Sequence, residues 1–133
     1  MIFKPLIIFY LFIGLNQSPS QDWIPYYKDK KISISYTSKV CNDPQNGFAF
    51  EYYFIQVQNL TKQTVVVNFN KNSERESKEE DQISFVLNPN ETKTGTCMYN
   101  PVKLRVFKSG LHSNKTSKSA PFVLSKINSI EVN

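Results

Sequence analysis

Beyond residue 30 the apolar residues of this chain recur at every second position, and no segment sustains a helical period. Successive side chains of a strand point to opposite faces, so alternation makes one apolar and one polar face. Residues 31–37 place Ile32, Ile34 and Tyr36 opposite Ser33, Ser35 and Thr37. Residues 51–58 group Tyr53, Ile55 and Val57, residues 64–70 group Val65, Val67 and Phe69, and the polar residues 59–63 between them suit a hairpin. Residues 82–87 group Ile83, Phe85 and Leu87, and 88–91 (Asn-Pro-Asn-Glu) reads as a turn, because proline presets φ. Residues 92–98 alternate threonines and carry Cys97, and 102–108 set Val102, Leu104 and Val106 against Lys103 and Arg105. In 122–132 the phase of Phe122, Leu124, Ile127, Ile130 and Val132 breaks near Ser125 and Lys126, which predicts a bulge. The charged run 71–81 and the polar run 109–120 read as solvated loops.

About seven short strands at intervals of roughly ten residues predict an all-β, antiparallel, immunoglobulin-like β-sandwich, with a small β-barrel as the alternative. The antibody pattern itself is missing, since the only tryptophan, Trp23, precedes Cys41 instead of lying between the cysteines.

The N-terminus predicts export. Lys4 is followed by an uncharged apolar run at 5–15, and Ser18-Pro19-Ser20 offers small residues for cleavage before Gln21. The run falls short of the roughly 20 apolar residues that span a bilayer. Residues 1–20 are therefore read as a signal peptide and 21–133 as a single domain, periplasmic or secreted, with no integral membrane segment after cleavage. The formal charge of +5 drops by one with Lys4, a modest excess that is common in soluble domains. In an oxidising compartment Cys41 and Cys97 read as one disulfide, against the competing reading of two separate buried thiols.

The segments Gln21-Asp22-Trp23-Ile24-Pro25, Cys41-Asn42-Asp43-Pro44, Gly47-Phe48, Glu51-Tyr52-Tyr53 and Leu87-Asn88-Pro89-Asn90-Glu91-Thr92 together resemble small exported proteins of Bacteroidetes. The resemblance implies a periplasmic or cell-surface β-domain, and it carries no catalytic residue to this chain.

The residues themselves argue against catalysis. The one histidine, His112, lies in a polar stretch with no element to position it as a base. The acids crowd into Glu74, Glu76, Glu79, Glu80 and Asp81, a run that wants water, and Glu51 with Asp43 makes a poor acid–base pair. Residues 42–47 have one carboxylate and the wrong spacing for a calcium loop. Two cysteines and one histidine do not make a zinc site. No catalytic residue, metal or cofactor is assigned. Asn59, Asn90 and Asn114 head sequons in predicted loops and are read as chance matches.

The sequence reading is thus an exported, non-catalytic binding or interaction domain with an unknown protein or glycan partner at the cell envelope. A structural assembly subunit using strand-edge pairing is the alternative, and a small secreted enzyme comes last. Candidate contacts are Trp23, Tyr26 and Tyr27, as an aromatic cluster, and Lys103 and Arg105, as a basic edge. With Phe107 the only aromatic among those cations, and with export, nucleic acid is not expected as a partner.

Overall fold

The computed structural model describes residues 22–43, 47–71, 81–112, 115–116 and 121–132. The predicted signal at 1–20, most of the charged run (72–80) and Asn114 of the third sequon lie outside the described residues. Among those described, the order is β1 (Ile24–Lys28), β2 (Ile32–Asp43), β3 (Phe48–Asn59), β4 (Thr64–Asn70), β5 (Gln82–Leu87), β6 (Thr92–Thr94), β7 (Arg105–His112), β8 (Lys115–Thr116) and β9 (Ser125–Val132). The protein is all-β, in two antiparallel sheets. The larger runs β1-β2-β3-β7-β8, with β6 sharing the edge of β3 that β7 occupies, and the smaller runs β5-β4-β9.

The alternation seen in the sequence builds the core between these sheets. Ile32 and Ile34 of β2 and Ile55 and Val57 of β3 face Val65, Val67 and Phe69 of β4 and Ile83, Phe85 and Leu87 of β5, all buried. Each such side chain contributes roughly 1.5–3 kcal/mol through removal from water. The strands at 64–70 and 82–87 fall where the alternation puts them.

A barrel is ruled out for the described residues, because no backbone ladder joins the two sheets. Side chains bridge them instead. On one side the Tyr26 hydroxyl donates to the Leu124 carbonyl at 3.0 Å and the Lys31 ammonium to the Ser129 carbonyl at 3.3 Å. On the other, Lys71 Nζ donates to the carbonyls of Lys103 (3.3 Å) and Arg105 (3.2 Å). Two separate sheets each keep open edges, and a barrel would have to pair them.

Among the described residues nine strands form rather than about seven. β2 and β3 extend to a 12-rung ladder, from Ile32↔Asn59 to Asp43↔Phe48. Their far half reaches past the small sheet, so its inward positions, Ser38 and Val40, stay exposed and need not be apolar. β1 escaped the alternation because a bulge between Pro25 and Tyr27 turns both Tyr26 and Tyr27 onto the core. β7 starts at Arg105 and continues to His112, and β8 pairs with it, inside the polar run expected to be loop. Ladder hydrogen bonds need no apolar side chains, so that run gave no sign of them. The bulge predicted near Ser125 and Lys126 is there, with Lys126 at φ 53° and the register shifting opposite Asn68 and Asn70.

The turns are held by side chains. Asp29 Oδ1 accepts from the N–H groups of Lys31 (2.7 Å) and Ile32 (2.8 Å), and Oδ2 accepts from the Tyr27 hydroxyl (2.8 Å). Burial pushes the Asp29 carboxyl up, but those hydrogen bonds and the Lys31 charge outweigh it and hold it below the usual carboxylate range. The bond to Asp29 likewise raises the Tyr27 phenol. Asn59 is a correction to the sequence reading: it ends β3 instead of opening a loop, and it is only 1% exposed. Its amide nitrogen donates to the carbonyls of Gln63 (2.8 Å) and Asn88 (3.0 Å), so it locks the β3–β4 hairpin to the turn after β5.

Candidate binding face

The strand expected over 92–98 ends at Thr94 and the one expected from Val102 begins only at Arg105, and a pinned loop is built between them. Ile55 of β3 accepts from the Gly95 N–H and donates to the Leu104 carbonyl, both at 2.9 Å. Gly95 and Leu104 therefore meet at one point and form the neck of a loop, residues 96–103. A Cβ at position 95 would lie far inside van der Waals contact distance of the Leu104 carbonyl oxygen, so the neck requires glycine. Compact loops with touching ends are frequently functional.

The Cys97 end of the loop lies against the outer face of the large sheet, the face turned away from the core, whereas Val102 at its other end packs against the core. Cys97 is disulfide-bonded to Cys41 of β2, with Cα atoms 5.5 Å apart, which bears out the pairing read from the sequence. Arg105 Nη1 donates to the Cys97 carbonyl at 2.9 Å, and its guanidinium carbon sits 4.6 Å from the centroid of the Tyr52 ring. Asn100 Oδ1 accepts from the Val102 N–H at 2.9 Å inside the loop. Phe54 and Thr37 share a row between neck and disulfide and are buried, although the small sheet is on the other side.

At the tip of this tethered loop, Met98 is 78% and Tyr99 79% exposed. A concavity of about 190 Å³ is lined there by Met98, Tyr99, Val102, Lys103 and Arg105, among others. Next to it, Phe50, Tyr52 and Phe107 make edge and tilted ring contacts at 6.0–6.4 Å, with Phe107 half exposed. The register sets Lys39, Tyr52 and Phe107 in one row. Two further rows, Ser35–Gln56–Thr94 and Ser33–Gln58–Thr92, carry hydroxyl and amide groups on β2, β3 and β6, and β1 extends them with Pro25 and Lys28.

No protein-family model, curated protein or solved structure matches this chain. Its site has to be read from its own chemistry.

Of the sequence candidates, the structure brings Lys103, Arg105 and the Cys41–Cys97 disulfide together at this face. It places the aromatic group elsewhere. Tyr26 packs against Tyr36 and Phe122, and its hydroxyl donates to the Leu124 carbonyl and accepts from the Leu124 N–H, so it docks β1 onto the sandwich. Tyr27 lies on the core and donates to Asp29, and Trp23 is half-buried just before β1. Glu51 is engaged on the inner side, accepting from Lys108 Nζ and Ser109 Oγ at 3.2 Å each. The His112 backbone belongs to β7 and its side chain lies outside the described residues. Among the described residues no cluster of three or more His, Cys, Asp or Glu side chains forms, and no helix is long and apolar enough to cross a membrane.

Sequence reasoning missed Met98, Tyr99, Lys39, Tyr52 and Phe107 as members of one face. The alternation of Thr92, Thr94 and Thr96 hid the loop, because it reads as one strand through Gly95 where β6 in fact ends at Thr94. Nothing in a linear pattern says that a loop after β6 lands on β2 and β3.

Proposed function

We propose that this is an exported, non-catalytic binding domain of the cell envelope, and that the outer face of its large sheet, with loop 96–103, is the binding surface. The observation that carries this reading is the loop tip. Met98 and Tyr99 stand almost fully in water, yet their loop is fastened by the disulfide, by Arg105 and by the Gly95–Leu104 neck. Exposed large apolar side chains on a fixed support meet a partner with little ordering entropy left to lose. Tyrosine and arginine are also the types that dominate binding energy.

Export fits the same reading, because a disulfide persists in oxidising compartments, and residues 1–20 are the signal that would deliver the chain there. The resemblance to exported Bacteroidetes proteins points the same way. We read the fold as immunoglobulin-like, since β2-β3-β7 faces β5-β4-β9 and the chain crosses between sheets after β3, after β5 and after β8. Strand-edge assembly is the second reading, favoured by β9, an edge strand with Ile130 half exposed. Against it, Lys31 occupies the Ser129 carbonyl, as lysines that protect an edge do.

The test is affinity capture from native envelope, with the oxidised protein and its Met98→Ser/Tyr99→Ser variant as paired baits. A partner or glycan held by the first and lost by the second is the expected result. Equal capture by both, or none by either, defeats the proposal.

A further inference from the structure

We infer that the ligand of this face is an acidic polysaccharide, bound through its carboxylate or sulfate groups and its hydroxyls; this rests on the reading of the outer face as the binding surface. The face has a charge of one sign. From the Ser33–Gln58–Thr92 row to the Cys41–Phe50 row, no described side chain is a carboxylate. Lys39, Lys103 and Arg105 stand on or beside it without an ion-pair partner among the described residues, unlike Lys93, which pairs with Glu91, and Lys108, which pairs with Glu51. A guanidinium carries five N–H donors in a planar fork suited to oxyanions, and the Cys97 carbonyl takes one of them.

The hydroxyl- and amide-rich part of the face supplies the second requirement. Ser33, Ser35, Gln56, Gln58, Thr92 and Thr94 form a grid in which Ser35 Oγ donates to Gln56 Oε1 (3.5 Å) and Gln56 Nε2 to Thr94 Oγ1 (3.3 Å), with Lys28 of β1 beside Ser33. Strand spacing is about 4.8 Å and same-face residues recur at roughly 6.7 Å along a strand. Such a grid offers donors and acceptors in both directions to a ligand dense in hydroxyl groups. An acidic peptide would instead present amides and one-sided charges, and it would leave most of these hydroxyls unmatched. Exposed Tyr99 and Phe107 complete the set, because the electron-rich face of an aromatic ring attracts the polarised C–H bonds of a sugar ring. Three chemistries needed for an anionic sugar chain thus share one face, with the buried Thr37–Phe54 row between the grid and the aromatics, and the disulfide holds the loop that carries Tyr99.

The experiment uses protein recovered from an exporting host with its disulfide intact, passed over immobilised polygalacturonate, dextran sulfate, neutral dextran and single-stranded DNA. Retention on a polyanionic glycan, release by salt and passage through neutral dextran are expected. Tyr99→Ser and Lys39→Gln should each weaken binding roughly tenfold. Arg105→Gln should do the same, but the Lys39 side chain makes no hydrogen bond or ion pair among the described residues, so its variant reports on binding free of folding effects. Lys126→Gln, on the other sheet, removes the same charge and should change nothing. Three results would overturn the inference: no retention on either acidic glycan, equal retention on DNA, or equal weakening by Lys126→Gln. Loop-dependent partner capture without glycan retention would sink this inference and leave the binding face standing, whereas loss of both would sink the face as well.

Discussion

The two sheets of this protein turn very different outer faces to solvent, although the same alternation builds both. On the small sheet, Val86, Val66 and Ile130 form one row and Ser84, Asn68 and Asn128 the next, with no disulfide attached. On the large sheet the corresponding face carries aromatics, cations and a loop fastened at several points. Half-exposed β-branched residues such as Val86 and Ile130 are ordinary strand surface, good for pleated packing and strand propensity. A disulfide and an obligatory glycine spent on holding Met98 and Tyr99 in water are not explained by strand propensity. The difference separates surface that serves folding from surface that is presented.

Three changes would break or sharpen that contrast. The largest effect is expected from Cys41→Ser/Cys97→Ser. On the chain-entropy model the sequence separation of 56 gives about 4 kcal/mol of lost stability. Denaturant unfolding checks it, and a loss below about 1 kcal/mol would mean that the disulfide does not set the two faces apart energetically. Gly95→Ala comes next. Its methyl group meets backbone at Leu104 and not a side chain that can swing away, so about 1–3 kcal/mol is expected. A neutral result by thermal melting would show that the neck opens freely. The smallest effect belongs to the other sheet. Val86→Thr and Ile130→Thr keep a β-branched side chain at half-exposed positions and should stay within about 0.5 kcal/mol of the parent. A larger loss in dilute monomer would show that this row is also structurally committed.

Much of the fold was legible because its physics is local. The period of Val65, Val67 and Phe69 and of Ile83, Phe85 and Leu87 placed β4 and β5, and the phase break at Lys126 placed the bulge. The consequence of that bulge was not legible: it turns Ile130 outward, where a simple apolar count would bury it. β1 hid for a similar reason, since a bulge let two adjacent tyrosines share one face. Asn59 looked like a loop residue and is a buried bracket, because its partners at Gln63 and Asn88 are a hairpin and a turn away. The candidate face was half legible. Lys103 and Arg105 stood out as a basic edge, but Lys39, Tyr52 and Tyr99 join them only through strand pairing and the disulfide.

By itself the sequence determined that this chain forms antiparallel strands with one apolar face each. That follows from the two-residue period of a pleated backbone and from the favourable removal of apolar surface from water, and both act residue by residue. Only the tertiary structure decided which strands share a sheet, that β6 and β7 divide one edge of β3, and that the loop between them is carried back onto β2. Those outcomes depend on contacts between residues far apart in the chain, such as Cys41 with Cys97 and Ile55 with both Gly95 and Leu104. A linear pattern holds no record of such distances, because closing them is a property of the packed sheets and not of any one segment.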